Sequence, residues 1–83
     1  MTETERWLAS FFERQGAALD QPWEAVLNEQ YFDLGLVDSL GLVELIVGIE
    51  GELGARLEST HVQDPRFGTI RGLAQIVDEL AAR

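Results

Sequence analysis

The 83-residue chain is long enough for one small domain with a single core, and its hydrophobic fraction of 46% excludes a disordered chain. No apolar run approaches the ~20 residues that a membrane span needs, and the acidic N-terminus lacks the pattern of a secretion signal. Without cysteine there is no disulfide framework and no thiolate metal site. We therefore expect one soluble, cytoplasmic domain over residues 1–83.

The net charge of −9 is unevenly distributed along the chain. Residues 1–30 carry six acids and two arginines, residues 31–60 carry six acids and one arginine, and residues 61–83 carry three of each. Phosphate backbones repel such a chain, so nucleic acid is not an expected partner, whereas proteins with basic surface patches would attract it. The alternative that the acids serve solubility alone stays open.

Apolar periodicity predicts a first helix from about residue 4 to residue 18, followed by a long loop over residues 19–38. The apolar face of this helix consists of Trp7, Leu8, Phe11 and Phe12. The side chains expected to pin the loop over the core are Trp23, Val26, Leu27, Tyr31 and Phe32. The loop ends at Asp38, where a long apolar segment begins.

The middle helix is predicted to begin at Ser39 and to carry two apolar stripes. Its core stripe comprises Leu42, Leu45, Ile46, Ile49 and Leu53. The second stripe comprises Leu40, Val43 and Val47, flanked by Glu44 and Glu50. Because a helix of a small bundle needs only one apolar face, the second stripe indicates an exposed docking surface with an acidic rim, unless neighbouring helices bury both faces. The glycines of this segment would admit close approach of a partner or of a neighbouring helix.

The last third of the chain holds two further helical segments. Pro65 limits residues 60–67 to a short turn of helix, and Thr69 is a suitable cap for a last helix from about residue 70 to residue 82. The apolar stripe of this helix consists of Ile70, Leu73, Ala74, Val77, Leu80 and Ala81. No stretch shows strand alternation. The predicted fold is therefore all-α: a small, monomeric, antiparallel four-helix bundle with three longer helices and one short helix.

Ser39 follows Asp38 where the loop meets the middle helix, a position at which either residue type can cap the helix. A nucleophilic serine needs a base and an oxyanion hole, but the elbow pattern G-x-S-x-G fails because Val37 replaces its first glycine. The single histidine, His61, is interpreted as a surface residue, and no calcium, zinc or phosphate-loop pattern is present. The sequence thus indicates a presented serine, on which a phosphate ester would be favoured by the helix dipole and opposed by Asp38.

The stretch over residues 31–54 resembles the acyl and peptidyl carrier proteins, which are small acidic four-helix bundles. Residues 38–40 match the Asp-Ser-Leu motif that opens the second helix of that family, and residues 32–35 and 43–45 match its flanks. The resemblance implies that Ser39 carries 4′-phosphopantetheine, installed from coenzyme A by a magnesium-dependent phosphopantetheinyl transferase. It also implies that the thiol of this arm holds an acyl or aminoacyl group as a thioester, and that the protein is not an enzyme.

The same resemblance implies two further partners, an ATP-dependent adenylating ligase and an acceptor enzyme. The candidates for partner contact are Leu40, Val43, Glu44, Val47 and Glu50. Two residues, Leu36 and Val37, separate Gly35 from Asp38, a spacing similar to that of the D-alanyl carrier proteins and related freestanding aminoacyl carriers. Fatty-acid carriers tend to have one residue there, and an acid at the position of Gly41.

A freestanding aminoacyl or acyl carrier is therefore the favoured interpretation, and a polyketide or fatty-acid type of carrier is the alternative. From a different class, the rival is a small acidic helical module that only binds proteins, has no prosthetic group and uses Ser39 as a plain cap. Modification of Ser39 by a transferase separates these hypotheses.

Overall fold

The computed structural model describes residues 1–82, in which four α-helices form a small bundle; the predicted domain ended at Arg83, which lies outside the described residues. The helices are α1 (Glu3–Arg14), α2 (Ser39–Gly48), α3 (Ser59–Val62) and α4 (Ile70–Ala81), with a π-helical turn at Ile49–Leu53 and 3-10 turns at Trp23–Val26 and Pro65–Gly68. The prediction of an all-α bundle is confirmed. Between residues 1 and 82, no helix is long and apolar enough to cross a membrane.

Helix α1 has a defined start and a defined end. At its start Thr2 and Glu5 form a capping box, in which each side chain accepts a hydrogen bond from the other residue's backbone N–H. At its end Gly16 has φ +96°, and the N–H of Ala17 donates to the carbonyl of Phe12. This Schellman arrangement stops the helix at Arg14, so the prediction that it extends to residue 18 was wrong.

The long loop between α1 and α2 is anchored as predicted at Val26, Leu27 and Tyr31, which are buried. The expectation for Phe32 was wrong, because its side chain is 45% exposed. A tight turn over residues 31–36 explains the difference: the N–H of Leu36 donates to the carbonyl of Tyr31, which leaves Phe32 outside. Leu36 and Val37 are buried instead.

Hydrogen bonds between residues that are distant in the chain join the loop to the start of α4. The Tyr31 hydroxyl donates to the carbonyl of Phe67, and the Tyr31 N–H donates to the carbonyl of Gly68 over 3.1 Å. The N–H of Arg71 donates to the carbonyl of Leu27 over 3.0 Å. Burial raises the pKa of Tyr31, because the phenolate form would lose its hydration. The loop that leads into α2 is therefore held in place by residues 67–71 at the start of α4.

Helix α4 supplies much of the core and is capped at Thr69 as predicted, its hydroxyl accepting from the N–H of Gly72. Its buried side chains are Ile70, Leu73, Ala74, Ile76 and Val77. The expectation for Ala81 was wrong, because the last turn of α4 leaves it exposed, and Ile76 is a core residue that the predicted stripe omitted. Gly72 lies so close to Arg66 that an added Cβ would overlap its carbonyl oxygen.

The short segment before α4 consists of two separate turns. Helix α3 ends at Val62, and Pro65 begins the following 3-10 turn, so the single short turn predicted over residues 60–67 is divided. His61 is half-buried, and its Nδ1 atom accepts the N–H of Glu58 over 2.9 Å at the start of α3. His61 therefore has a local capping role that its interpretation as a surface residue did not foresee.

Candidate functional site

The first turn of α2 presents Ser39 to solvent. Asp38 is the N-cap, and its Oδ1 atom accepts the N–H of Gly41 over 2.7 Å. Ser39 is the first residue of the helix and is exposed. Its hydroxyl makes no hydrogen bond with any other residue in the range 1–82. The side chain is accessible, and none of the described residues makes with its hydroxyl the hydrogen bond by which a general base would activate it.

Gly41 belongs to this site because nothing larger fits there. A Cβ added at Gly41 would lie 2.7 Å from Cγ2 of Val37, and 3.2 Å from both Oδ1 of Asp38 and Oε1 of Gln15. Val37 is buried and Asp38 is fixed by its capping bond, so neither can give way easily. The glycine that replaces the acid of fatty-acid carriers is thus required by local packing.

The second apolar stripe of α2 is exposed along its length. Leu40 is 68% exposed, Val43 is 58% exposed and Val47 is 63% exposed. The alternative that neighbouring helices bury both faces of α2 is therefore wrong. The core stripe packs inward through Leu45 and Ile49, which are fully buried.

The two acids beside this stripe are both held by intramolecular hydrogen bonds while remaining exposed. Glu44 accepts the side-chain N–H of Gln15 over 3.0 Å, which joins α2 to the end of α1. Glu50 accepts the backbone N–H of Leu57 over 3.2 Å, which joins the π-helical turn to the segment before α3. Sequence reasoning missed both bonds, because each partner belongs to a different element.

The glycines of α2 have different surroundings. Gly48 lies against α1, since an added Cβ would approach Trp7 to 3.2 Å. An added Cβ at Gly51 would meet nothing within 4 Å. Gly54 has φ +69° and ends the π-helical turn. At Gly41 and Gly48 the close approach is therefore to the protein's own side chains.

Two further features lie beside Ser39 in the chain. Phe32 and Leu34 are exposed apolar side chains of the loop that leads into α2; Gly35, with φ +74°, is the sequence signal for the turn that exposes them. A groove of about 270 Å³ lies between residues 15–17 and residues 35–38. Across residues 1–82, no three acidic or histidine side chains come together as a metal site.

Comparison with known families identifies the class of protein. Residues 17–77, which include the first turn of α2, match the family model described as "Phosphopantetheine attachment site". The match spans more than half of the chain, so the chain belongs to this family of acyl and peptidyl carrier proteins, as the resemblance predicted. Its cofactor is covalently attached 4′-phosphopantetheine. Carrier proteins of this family are not catalytic; they interact with a phosphopantetheinyl transferase and a ligase.

The relatives of the chain include proteins named D-alanyl carrier protein. The one from Enterococcus faecalis is 39% identical over 59 residues, covering 69% of this chain and 76% of the relative. The one from Streptococcus pyogenes serotype M1 is 34% identical over 55 residues, covering 66% of this chain and 70% of the relative. No solved structure gives a significant match. The chain is therefore similar to D-alanyl carrier proteins within its family.

Proposed function

We propose that Ser39 is the residue that carries 4′-phosphopantetheine, and that the chain is a freestanding, monomeric carrier of an aminoacyl group. The observation that carries this proposal is the exposed, unbonded hydroxyl of Ser39 at the first position of α2. We also propose that residues 1–83 form one carrier domain that works in the cytoplasm and has no catalytic activity of its own.

The proposed modification is a phosphoryl transfer from coenzyme A. The Oγ atom of Ser39 forms a bond to the phosphorus nearest the pantetheine, and the pyrophosphate bond of coenzyme A breaks. Adenosine 3′,5′-bisphosphate leaves, and the hydroxyl proton passes to a base of the transferase, because no described residue accepts a hydrogen bond from the Ser39 hydroxyl. When bound, the group supplies a thiol that holds the cargo as a thioester.

The first turn of α2 suits a phosphodiester at Ser39. Among the described residues, the backbone N–H groups of Ser39 and Leu40 have no hydrogen-bond partner, and they lie at the positive end of the helix dipole. Asp38 opposes the phosphate charge, but its Oδ1 atom already accepts from Gly41. The donors that remain, together with the exposed hydroxyl, fit the group.

We propose that partner enzymes dock on the exposed stripe of α2. The stripe places three apolar side chains, Leu40, Val43 and Val47, on the helix that begins at Ser39. Glu44 and Glu50 flank it and would face basic residues of a partner. Partners of this kind are the transferase, an ATP-dependent adenylating ligase and an acceptor enzyme.

An amino acid is the proposed cargo, with D-alanine the first to test. Support comes from the relatives named D-alanyl carrier protein and from the glycine at position 41, where an acid would not fit. The ligase would join the carboxylate of the amino acid to ATP with loss of pyrophosphate. The arm held by Ser39 would supply the thiol that takes the activated amino acid as a thioester, with release of AMP.

Intact-protein mass spectrometry tests the attachment. The protein is incubated with coenzyme A, magnesium and a promiscuous phosphopantetheinyl transferase; we expect a single phosphopantetheine adduct, absent from Ser39→Ala. Ser59→Ala is the matched control, because Ser59 is likewise exposed, follows an acidic residue and begins a helix. An adduct that persists in Ser39→Ala, or no adduct on the folded wild type, contradicts the proposal, and the second result favours a protein-binding module.

A further inference from the structure

The groove between residues 15–17 and residues 35–38 lies next to the proposed attachment site. Its wall ends at Asp38, and Ser39 follows directly in the chain. Gln15 and Val37, from opposite walls, both lie against the first turn of α2, where they leave no room for a Cβ at Gly41. The groove therefore ends at the turn of helix that presents Ser39.

The groove is open because glycines form part of both walls. Gly16 has φ +96° and Gly35 has φ +74°, so both positions favour glycine over residues with a side chain. A Cβ built at either position meets nothing within 4 Å. Neither wall can fill the groove with a side chain at these positions.

Several hydrogen-bonding groups of the groove walls have no protein partner. In the part of the chain that the structure describes, no hydrogen bond is made by the backbone N–H groups of Val37 and Asp38. The Nε2 atom of Gln15 donates to Glu44, whereas its Oε1 atom accepts no hydrogen bond from any described residue. The walls thus offer donors and an acceptor together, which is what a ligand with amide groups requires.

We propose that this groove binds the amide-containing portion of the 4′-phosphopantetheine arm attached at Ser39. The pantetheine portion has two amide groups, whose carbonyl oxygens match the free N–H donors and whose N–H groups match the Gln15 carboxamide oxygen. The inference rests on the proposed attachment at Ser39. It assigns Gln15, Val37 and Asp38 as positioning residues for the arm, which would lie along the end of α1.

A second cavity gives the competing location. It is lined by Glu50, Gly54, Arg56, Leu57 and Glu58, beyond the far end of α2. Glu50 follows Ser39 by eleven residues, which corresponds to about 16 Å along a helix axis. The groove beside Asp38 needs no such reach, so the structure favours it for the part of the arm nearest the phosphate.

Backbone amide shifts from NMR, compared between the unmodified and the phosphopantetheine-loaded protein, test the inference without any activity assay. Mass spectrometry first establishes complete loading at Ser39. We expect shift changes at Gly16, Ala17 and Gly35, and none at Gly54 and Leu57. Gln15→Ala should remove the changes at Gly16 and Gly35 while loading remains complete; Gln75→Ala, at an exposed glutamine of α4, should leave them in place.

The outcomes separate the inference from the proposed function. Shift changes confined to residues 38–41 overturn the groove while the attachment at Ser39 stands. Changes at Gly54 and Leu57 without changes at Gly16 overturn it in favour of the second cavity. Failure to load the folded protein overturns the attachment, and the inference with it.

Discussion

At the scale of single residues, the start of α2 depends on three neighbours with different tasks. Asp38 accepts the hydrogen bond of the Gly41 N–H, and Gly41 leaves room for the side chains of Val37 and Gln15. The hydroxyl of Ser39 has no hydrogen-bond partner among the described residues. The sequence allowed the prediction that a cap and a presented serine meet here. It did not reveal the packing against Gly41, because that depends on Gln15, 26 residues earlier in the chain.

Removing the cap tests the first of these tasks. Asp38→Ala should lower the free energy of unfolding by about 1 kcal/mol, because the N–H of Gly41 loses its acceptor. Asp38→Asn keeps an oxygen acceptor and should cost less. Chemical denaturation of both variants measures the difference; equal losses would show that the capping bond contributes nothing.

The burial of the Tyr31 hydroxyl leads us to expect a loss of folding stability at alkaline pH. Burial raises its pKa in the folded protein, so the unfolded chain releases the phenolic proton first, near pH ~10. Stability is therefore complete below that pH and falls as pH rises above it. Because Tyr31 is the only tyrosine, ultraviolet absorbance of tyrosinate should appear together with unfolding measured by circular dichroism. Tyrosinate formation in a protein that is still folded would contradict this assignment.

At the scale of elements, α2 shows what periodicity can and cannot predict. Both apolar stripes follow from helical spacing, and the exposure of Leu40, Val43 and Val47 agrees with a docking face. The bonds of Glu44 to Gln15 and of Glu50 to Leu57 join α2 to other segments, so no pattern within α2 contains them. The error at Phe32 has the same origin, because turn geometry decided which way it points.

The polarity of the exposed stripe of α2 (Leu40, Val43 and Val47) can be changed with little change in shape, because valine and threonine are nearly equal in size. The double variant Val43→Thr, Val47→Thr should leave the free energy of unfolding within about 0.5 kcal/mol of the wild type, because both positions are exposed. Modification by the transferase should slow by roughly tenfold if the apolar contacts together contribute about 1.4 kcal/mol to recognition. Val62→Thr, at an exposed valine of α3, is the control. Unchanged rates in the double variant would exclude this face from recognition by the transferase.

At the scale of the whole molecule, the loop that leads to Ser39 is held by the start of α4. Tyr31 reaches Phe67 and Gly68, and Leu27 accepts from Arg71. Arg66, in the same segment, donates hydrogen bonds to Asp64 and to Glu79. The bond from Arg66 to Asp64 lowers the pKa of the Asp64 carboxyl. The number and order of helices could be predicted from sequence, whereas the bonds of Tyr31 and Leu27 to the start of α4 could not, because they join residues 36 to 44 positions apart.

Gly72 tests the packing of the α4 start. Gly72→Ala should lower the free energy of unfolding by about 1–3 kcal/mol, because the added Cβ overlaps the carbonyl of Arg66. Gly51→Ala is the matched control: its Cβ meets open space, so we expect a gain of up to about 1 kcal/mol from the higher helical propensity of alanine. Thermal or chemical denaturation compares them, and a stable Gly72→Ala variant would refute the close approach.

The π-helical turn at Ile49–Leu53 has a consequence for how this chain aligns with its relatives. A π-helical turn spans i to i+5 where an α-helical turn spans i to i+4, so it accommodates about one additional residue without breaking the helix. A relative with a purely α-helical second helix would therefore align with a one-residue gap inside residues 49–53. Deleting Gly51, whose surroundings are open, should produce such a chain, in which the helix is purely α-helical and Leu53 keeps its place against the core.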